Sequence, residues 1–267
     1  MKYSTGFLAA LVALLAATEA FAQDGMIVGK ARRWRAEISG NVEADDSGSD
    51  GSNVDLKSTF GLDNEEDFDE FHVTMGLPLI GRFNLQFLEG GFDGSRTVTN
   101  DFTFAGTTYT ASTQISTELD FKVYTLLWQF GASTPGVIGA DVGAGFIAGL
   151  KYFEVDAVVQ ESSGGQREEM ELKAPIPVFG AYFRMNLAKF LAIEVQAHGL
   201  KVPDSFGQEV KGLLYDGTIA LDAKIGPLFG GIGYRLFHFE VEGDDGSIEA
   251  TADLDMKGIF FEVGISF

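Results

Sequence analysis

The residue types best suited to acid–base chemistry are sparse in this sequence. It contains three histidines, His72, His198 and His238. On a β-strand His198 and Glu194 would share one face, a spacing that suits proton transfer. His72 would share a face with Thr74, but threonine is a rare nucleophile unless an N-terminal amine activates it. No G-x-S-x-G element is present. Because a polar histidine is more often a hydrogen-bonding filler, the sequence predicts no enzyme and no catalytic residue.

Composition excludes several further classes of protein. The 267 residues include 19 Lys+Arg against 39 Asp+Glu, a net charge of −20 that argues against nucleic-acid binding. The absence of cysteine excludes disulfides, thiolate nucleophiles and cysteine-ligated metals. With 45% hydrophobic and 12% aromatic residues, the chain can bury a large core, so disorder is not expected. The length is compatible with one barrel domain.

An acidic stretch at 45–70 is the most charged part of the chain. Its acidic residues are Asp45, Asp46, Asp50, Asp55, Asp63, Glu65, Glu66, Asp67, Asp69 and Glu70. The segment 46–51 is similar to the start of a calcium loop, but it lacks an acid or amide at its third position and has Lys57 at the twelfth. We therefore predict no specific metal site and no cofactor. We expect a solvated loop that loosely collects divalent cations.

The first 22 residues have the pattern of a secretory signal peptide. Lys2 precedes a mostly apolar run at 7–17, and Ala20-Phe21-Ala22 forms a cleavage site. Eleven residues are too few to cross a bilayer as a helix. We predict a cleaved signal at 1–22 and a mature domain at 23–267.

The mature chain alternates apolar and polar residues with a period of two, which is typical of β-strands. At the C-terminus Ile259, Phe261, Val263, Ile265 and Phe267 share one face. Breaker residues divide the chain into ten strands, predicted at 31–45, 68–77, 82–99, 110–131, 137–160, 167–185, 190–202, 209–225, 228–242 and 250–267. We therefore predict an all-β fold, an antiparallel up-and-down barrel of about ten strands, with eight as the alternative count.

Connection lengths and aromatic positions indicate a membrane. Short turns at 77–81, 133–136, 186–189 and 226–227 alternate with longer polar loops, as in outer-membrane barrels with short periplasmic turns. Aromatic residues near the turns would form an interfacial girdle: Trp128, Phe130, Phe183, Phe190, Phe229 and Phe267. A soluble barrel or sandwich would alternate in the same way with its apolar face inward. The strand lengths, the aromatic girdle and the signal peptide favour a membrane barrel, with the apolar strand faces outward against lipid.

Four segments and the C-terminus carry a family resemblance. They are Val54-Asp55-Leu56-Lys57 with Phe60-Gly61-Leu62-Asp63, Asp93-Gly94-Ser95-Arg96-Thr97, Ala174-Pro175-Ile176-Pro177-Val178-Phe179-Gly180, and the terminal Phe267. The mature chain resembles the small outer-membrane β-barrel proteins of Gram-negative bacteria, the OmpA/OmpW-like group, and a poorly characterised subset of it. The resemblance implies outer-membrane lipids, lipopolysaccharide and the barrel-assembly machinery as partners, with Ile265 and Phe267 as the assembly signal. It implies no catalytic residue.

On this interpretation the polar strand faces fill the lumen. The predicted lumen charge network consists of Arg35, Glu37, Glu118, Asp120, Lys122, Asp141, Lys151, Glu194, His198, Asp222, Lys224, Arg235 and Glu262. A barrel of about ten strands is close to the size that side chains fill, and confined charges require partners. We expect a plug of paired charges, with a narrow conduit opened by rearranged ion pairs as the alternative. Arg235 is expected to pair with Glu37, Asp222 or Glu262.

The sequence thus predicts a structural barrel or one that passes small solutes at low conductance. Two other functions stay open. One is an outer-membrane lipid-modifying or proteolytic enzyme, which would need a nucleophile and a base in contact. The other is a surface binding module that uses the acidic stretch at 45–70.

Overall fold

The computed structural model describes residues 27–46, 51–77, 80–134, 141–188, 190–202, 210–244 and 248–267. The predicted signal peptide at 1–22 lies outside these residues. No helix within the described residues is long and apolar enough to cross a membrane.

The described residues form thirteen strands, in the order β1 (Ile27–Asp46), β2 (Val54–Asp55), β3 (Glu65–Leu77), β4 (Gly81–Thr97), β5 (Phe102–Phe104), β6 (Thr107–Tyr109), β7 (Gln114–Thr134), β8 (Asp141–Glu161), β9 (Arg167–Ala188), β10 (Leu191–Val202), β11 (Val210–Ile225), β12 (Leu228–Asp244) and β13 (Ile248–Ser266). Ten of them form the barrel wall. The short β2 pairs with β1, and β5 and β6 form a separate hairpin. The predicted ten-stranded antiparallel barrel is confirmed, with boundaries within four residues of those expected.

The barrel closes between its first and last strands. β1 pairs with β3 on one side and with β13 on the other, from Val28 opposite Ser266 to Asp46 opposite Ile248. At the end of this seam the backbone of Phe267 exchanges two hydrogen bonds with that of Ile27, at 2.9 and 3.2 Å. All wall strands are antiparallel to their neighbours, so the closed sheet has no unpaired edge.

Along each strand the outward residues change from apolar to charged. On β7 the outward side chains of Tyr124, Leu126, Trp128 and Phe130 are exposed, although all are large and apolar or aromatic. Phe146 on β8 is 77% exposed. A folded protein leaves such side chains uncovered where lipid is the surrounding medium. The half of the barrel nearer the short turns therefore carries a lipid-facing band.

The edge of the band follows the strand register. Two successive rows of outward residues, each paired across β1, β3, β4, β7, β8 and β9, mark the change: the first is charged throughout, and four of the six residues in the second are aromatic. The charged row is Arg33, Asp69, Glu89, Lys122, Glu154 and Lys173, and the row beneath it is Ala31, Phe71, Phe87, Tyr124, Tyr152 and Pro175. The rings of Phe87 and Tyr124 lie 5.1 Å apart. Charge above and aromatic rings below are typical of a membrane interface.

The inward residues change in the opposite direction. Near the long loops the interior is an apolar core, built around Trp34, Phe68, Phe92, Phe121 and Phe153. Nearer the short turns it is polar. The long connections add to the core, because Phe60 of the β2–β3 connection packs against Phe102 and Phe104 of the β5–β6 hairpin, with ring centroids 5.9 and 5.4 Å apart. We call this covering of the barrel end the loop cap (residues 54–62 and 102–109).

Near the long loops the outward residues are charged and the inward residues are apolar. Five residues of the predicted lumen charge network therefore lie on the outer face. Arg35 and Glu37 on β1, and Glu118, Asp120 and Lys122 on β7, alternate with buried apolar residues that face the core. Polar residues were expected inside along the whole strand. That expectation fails above the lipid band, where the outside medium is water and the apolar face turns inward.

We expect Val263→Arg to lower the free energy of unfolding by about 2–4 kcal/mol, because its outward guanidinium would lie in hydrocarbon. Thr251→Arg is the matched control, since Thr251 is exposed on the same face of β13 above the band. Denaturant unfolding of the barrel in lipid vesicles measures both. Equal losses for the two variants would show that the band edge is misplaced.

Candidate functional site

The candidate site is a cluster of buried charges in the lumen, between the apolar core and the short turns. We call it the ionic plug. Six strands contribute one main residue each: Arg32 from β1, Glu70 from β3, Lys151 from β8, Asp216 from β11, Arg235 from β12 and Glu262 from β13. All six side chains are at least 90% buried. Each occupies an inward position of the two-residue alternation, so the register of the wall brings them to one region.

Asp216 lies at one end of the plug and binds two cations. Its carboxylate accepts two hydrogen bonds from the Arg235 guanidinium, at 3.0 Å from Nε and 2.7 Å from Nη2. It also accepts one from Lys151 Nζ at 2.6 Å. Two-pronged pairing of arginine with a carboxylate is among the stronger charge-assisted geometries. Asp216 thus holds together side chains from β8, β11 and β12.

Glu70 and Glu262 extend the plug to the opposite wall. Glu70 accepts a hydrogen bond from Arg235 at 3.3 Å and another from Arg32 at 3.1 Å. Glu262 accepts two from Arg32, at 2.9 and 2.8 Å, and lies 3.3 Å from Lys30 Nζ. Cations and carboxylates therefore alternate from Lys151 on β8 to Lys30 on β1.

Two aromatic rings join the plug to the apolar core. The Arg32 guanidinium lies 3.8 Å from the centroid of Phe260, and that of Arg235 lies 4.7 Å from the centroid of Trp34. Both rings are fully buried. These cation–π contacts let each guanidinium present its edge to carboxylates and its face to the core.

The two buried imidazoles belong to the same cluster. His72 Nε2 lies 3.1 Å from Glu70 Oε2, and His198 Nε2 lies 3.7 Å from Asp216 Oδ2. Both carboxylates are already bound to guanidinium groups. A carboxylate held in this way is unsuited to activate a histidine as a base, and a void beside the two imidazoles holds about 10 Å³. The arrangement supports neutralised charge and a blocked lumen more than proton transfer.

Below the plug the lumen widens into a cavity of about 450 Å³ at the short-turn end. We call it the vestibule. Polar residues of both signs line it, including Lys30, Glu194 and Asp222, together with apolar residues such as Phe190 and Phe229. The lumen thus has three levels: an accessible vestibule, the ionic plug and the apolar core under its loop cap.

The loop cap has local electrostatics of its own. The backbone N–H of Ser58, and then that of Lys57 at 3.1 Å, bond to Asp55 and lower the pKa of its carboxyl group. Burial raises the pKa of Tyr109 to about 12, and Glu168 and Glu161 add to the effect. The Tyr109 hydroxyl donates to the Val159 carbonyl at 3.2 Å. The bond from Tyr109 joins the loop cap to β8 of the barrel wall, whereas those of Asp55 hold the turn within the cap.

The acidic stretch at 45–70 is divided between several environments. Val54, Leu56, Phe60 and Leu62 within it are buried in the loop cap. Glu70 is in the ionic plug, since β3 begins at Glu65. The expectation of one solvated acidic loop is therefore wrong for these residues, because apolar residues between the acids pack onto the barrel end.

Some of the predicted network residues come together in the lumen. Lys151, Arg235 and Glu262 are in the ionic plug, His198 is beside it, and Asp222 and Glu194 line the vestibule. Arg184 binds Glu194 at 2.9 Å. Lys224 is exposed at the vestibule mouth. Arg235 pairs with Asp216 and Glu70, not with the expected Glu37, Asp222 or Glu262.

The remaining predicted residues lie elsewhere. Arg35 pairs with Asp67 at 3.1 Å on the outer face. Lys122 lies 4.0 Å from Glu89, also outside. The side chain of Asp141 lies outside the described part of the chain. Ile265 is buried and Phe267 is exposed at the end of the β1–β13 seam.

Sequence reasoning missed Lys30, Arg32, Glu70, Arg184 and Asp216. The signal for Asp216 was present, since it shares its strand face with Asp222 while Ile219 and Leu221 occupy the other. Arg32 shares a face with Trp34, whereas Arg33 and Arg35 occupy the outward positions. Three arginines occur at positions 32, 33 and 35, and only the phase of the strand identifies Arg32 as the buried one.

One further group on the outer face has ligand spacing. His238 Nδ1 lies 3.0 Å from Asp255 Oδ1 and 3.8 Å from Asp253 Oδ1. Among the described residues this is the group of three side chains close enough to hold a cation. All three lie above the lipid band, where acidic residues are common without a bound ion.

Together these features define a transmembrane β-barrel of the outer-membrane type, with a lumen closed by ion pairs. No family model matches the chain, and no curated protein matches it. Similar solved structures include the transport unit of the autotransporter AIDA-I from Escherichia coli (13% identity, 98% of each chain covered, TM-score 0.38). Others are the translocator domain of autotransporter NalP from Neisseria meningitidis (11%, 99% of this chain and 98% of that one, 0.42) and the outer membrane protease OmpT from Escherichia coli (9%, 94% and 99%, 0.39).

All three TM-scores are below 0.5. The barrel assignment rests on the strand topology and the exposed apolar band of the chain itself.

We expect Asp216→Asn to lower the free energy of unfolding by about 3–5 kcal/mol, since it leaves Arg235 and Lys151 buried with a weakened partner. Glu89→Gln is the control, because Glu89 and Lys122 are about half exposed and such a pair contributes less than about 1 kcal/mol. Denaturant unfolding of both variants in vesicles gives the comparison. A loss for Asp216→Asn no larger than the control's would contradict the plug as a stabilising unit.

Proposed function

We propose that this protein is a bacterial outer-membrane barrel with a structural role in the envelope, closed at rest, which passes at most small solutes when its ionic plug rearranges. The observation that carries the proposal is the alternating row of ion pairs that spans the lumen from Lys151 to Lys30. The predicted signal peptide at 1–22 supplies the export route to that membrane.

Three layers in series support a closed resting state. A solute entering the vestibule meets the ionic plug, whose opening requires separating buried charges at a cost of several kcal/mol per ion. Beyond it lies an apolar core that holds a void of about 10 Å³ between Trp34, Phe153 and Phe237. The loop cap then covers the far end. Ten-stranded barrels have little interior space beyond that of side chains, which agrees with this arrangement.

The sequence also suggests partners for the barrel in the outer membrane. Outer-membrane lipids would contact the apolar band, and lipopolysaccharide the charged row above it. The barrel-assembly machinery would act on the last strand with Ile265 and Phe267. We also propose that the protein belongs to the OmpA/OmpW-like group, because of its sequence segments at 54–63, 93–97 and 174–180.

The two alternative functions have weaker support. An enzyme would need a nucleophile beside a free base, whereas His72 and His198 face carboxylates that guanidinium groups already occupy. A surface binding module using 45–70 would need that stretch to be available, but four of its apolar residues hold the loop cap in place. We therefore propose no enzymatic activity.

Conductance tests the closed state. In planar bilayers we expect the refolded wild type to conduct far less than an open porin measured in the same bilayer. Arg235→Ala combined with Trp34→Ala removes side chains from both the ionic plug and the apolar core, so we expect a higher conductance. Glu89→Ala, on the outer face, is the control and should conduct like the wild type. A steady, porin-like conductance of the wild type would refute the closed lumen.

Orientation can be tested by labelling, because the chain has no cysteine of its own. Ser163→Cys places a unique thiol in the exposed β8–β9 connection, and Lys224→Cys places one at the vestibule mouth. We expect a membrane-impermeant maleimide to label Ser163→Cys on intact cells. Lys224→Cys should react only after the outer membrane is permeabilised. The reverse pattern would invert the proposed topology.

A further inference from the structure

The vestibule carries more basic than acidic side chains, although the chain as a whole is strongly acidic. The described residues that line it include four basic and three acidic ones, namely Lys30, Arg82, Arg184 and Lys224 against Glu194, Asp222 and Glu262. The complete sequence has 19 Lys+Arg against 39 Asp+Glu. A cavity that is lined by an excess of one sign of charge concentrates small ions of the opposite sign, so this one favours anions.

The acidic residues of the vestibule do little to oppose an anion. Glu194 is bound by Arg184 at 2.9 Å, and Glu262 lies 3.3 Å from Lys30. Asp222 is 8% exposed and therefore presents little of its surface to the cavity. The charge that remains uncompensated in the vestibule is therefore positive.

Arg82 and Lys224 are the two basic side chains that supply this positive charge. Among the described residues no carboxylate lies within 4 Å of either of them, whereas the other vestibule cations are in ion pairs. Arg82 is on β4 and half-buried, and Lys224 is on β11 and exposed at the mouth. These strands are five places apart in a closed wall of ten, so the two cations lie on opposite sides of the vestibule.

The wall around Arg82 is polar but contributes no acidic residue to the vestibule. The vestibule residues from β3, β4 and β7 are Thr74, Asn84 and Gln129 besides Arg82 itself. Gln129 is directly opposite Arg82 in the register of β4 and β7. A guanidinium group can donate two parallel hydrogen bonds to a carboxylate, and hydroxyl and amide groups can add to them. This wall therefore suits a carboxylate.

The wall around Lys224 adds apolar surface. The backbone N–H of Lys224 donates to the Phe190 carbonyl at 2.8 Å, and Phe229 is its direct partner on β12. Both phenylalanines and Leu191 line the vestibule. Its volume of about 450 Å³ is within the usual range for small-molecule sites. The combination favours an anion with a hydrocarbon part over an inorganic anion.

We propose that the vestibule binds small organic carboxylates, with the carboxylate group on the Arg82 guanidinium and the hydrocarbon part against Phe190 and Phe229. Lys224 attracts the anion to the mouth. The site lies on the short-turn side of the ionic plug, so binding does not require the lumen to conduct. The proposal can therefore hold or fail independently of the proposed closed barrel.

The test uses sodium butyrate as the probe. n-Butanol and n-butylammonium chloride are neutral and cationic molecules of matched length, and inorganic phosphate is an anion without a hydrocarbon part. Each is titrated into the ¹⁵N-labelled full chain, refolded in uncharged maltoside micelles, with sodium chloride adjusted to keep the ionic strength constant. The amide resonances of Gln129 and Phe229 report on the vestibule, and that of Gly164, at the other end of the barrel, is the reference.

We expect saturable shifts of the Gln129 and Phe229 resonances with butyrate, and no shift of the Gly164 resonance. Butanol and butylammonium should bind at least about tenfold more weakly, because neither can accept the charged hydrogen bonds of Arg82. Phosphate should also bind more weakly than butyrate, because it gains nothing from the apolar wall.

Variants locate the carboxylate. Arg82→Gln removes the charge, so we expect about a tenfold loss of butyrate affinity, and Arg82→Lys should bind with intermediate affinity because it keeps the charge without the two-pronged geometry. Arg167→Gln is the matched control, since Arg167 is exposed on the outer face near the long loops, and it should bind like the wild type. Gel migration without boiling verifies that each variant is folded. If Arg82→Gln does not fold, Lys224→Gln at its exposed position and the comparison of probes on the wild type still decide.

Four results would overturn the proposal. Unchanged affinity in folded Arg82→Gln, or an equal loss in Arg167→Gln, would show that Arg82 does not hold the carboxylate. Butylammonium binding as tightly as butyrate would assign the vestibule to cations. Phosphate binding as tightly as butyrate would show that the apolar wall makes no contact. Absence of saturable shifts with butyrate would show that the vestibule holds only water.

Discussion

Everything else in this structure depends on a requirement of the backbone, since in hydrocarbon each N–H and C=O group must be hydrogen-bonded within the protein. The seam between β1 and β13, which runs to the backbone bonds between Ile27 and Phe267, meets that requirement by leaving no edge. Closure with ten strands in turn fixes a narrow interior. The side chains that share it have little water available, so charges there must find partners in the protein.

The second organising feature is that polarity is reversed between the two halves of the barrel. Near the short turns the outside is apolar and the inside is charged; near the long loops the outside is charged and the inside is apolar. The reason is the change of surrounding medium at the charged row of Arg33, Glu89 and Lys122. Above that row the barrel behaves as a water-soluble protein with its own hydrophobic core.

The ionic plug lies where the two halves meet, and its residues reflect both. Arg32 and Arg235 contact carboxylates along their edges and the rings of Phe260 and Trp34 across their faces. Lysine would not offer a two-pronged edge to a carboxylate and a flat face to a ring at the same time, because it lacks a planar group. Within the plug each carboxylate contacts at least two cations. The loss of one plug residue therefore leaves another buried charge with a missing partner. Asp222 lies outside this balance, beside the vestibule.

The sequence by itself determined the strands, their number, their antiparallel order and the lipid-facing residues near the short turns, because strand alternation and breaker residues are local properties of the chain. It also placed Lys151, Arg235 and Glu262 inside. Only the tertiary structure decided which charges meet, since Arg32 and Glu262 are 230 residues apart and become neighbours through closure. It alone decided that Glu118 and Lys122 face outward as well. Alternation shows that two faces differ, but the medium on each side decides which face turns inward, and that medium changes along a single strand.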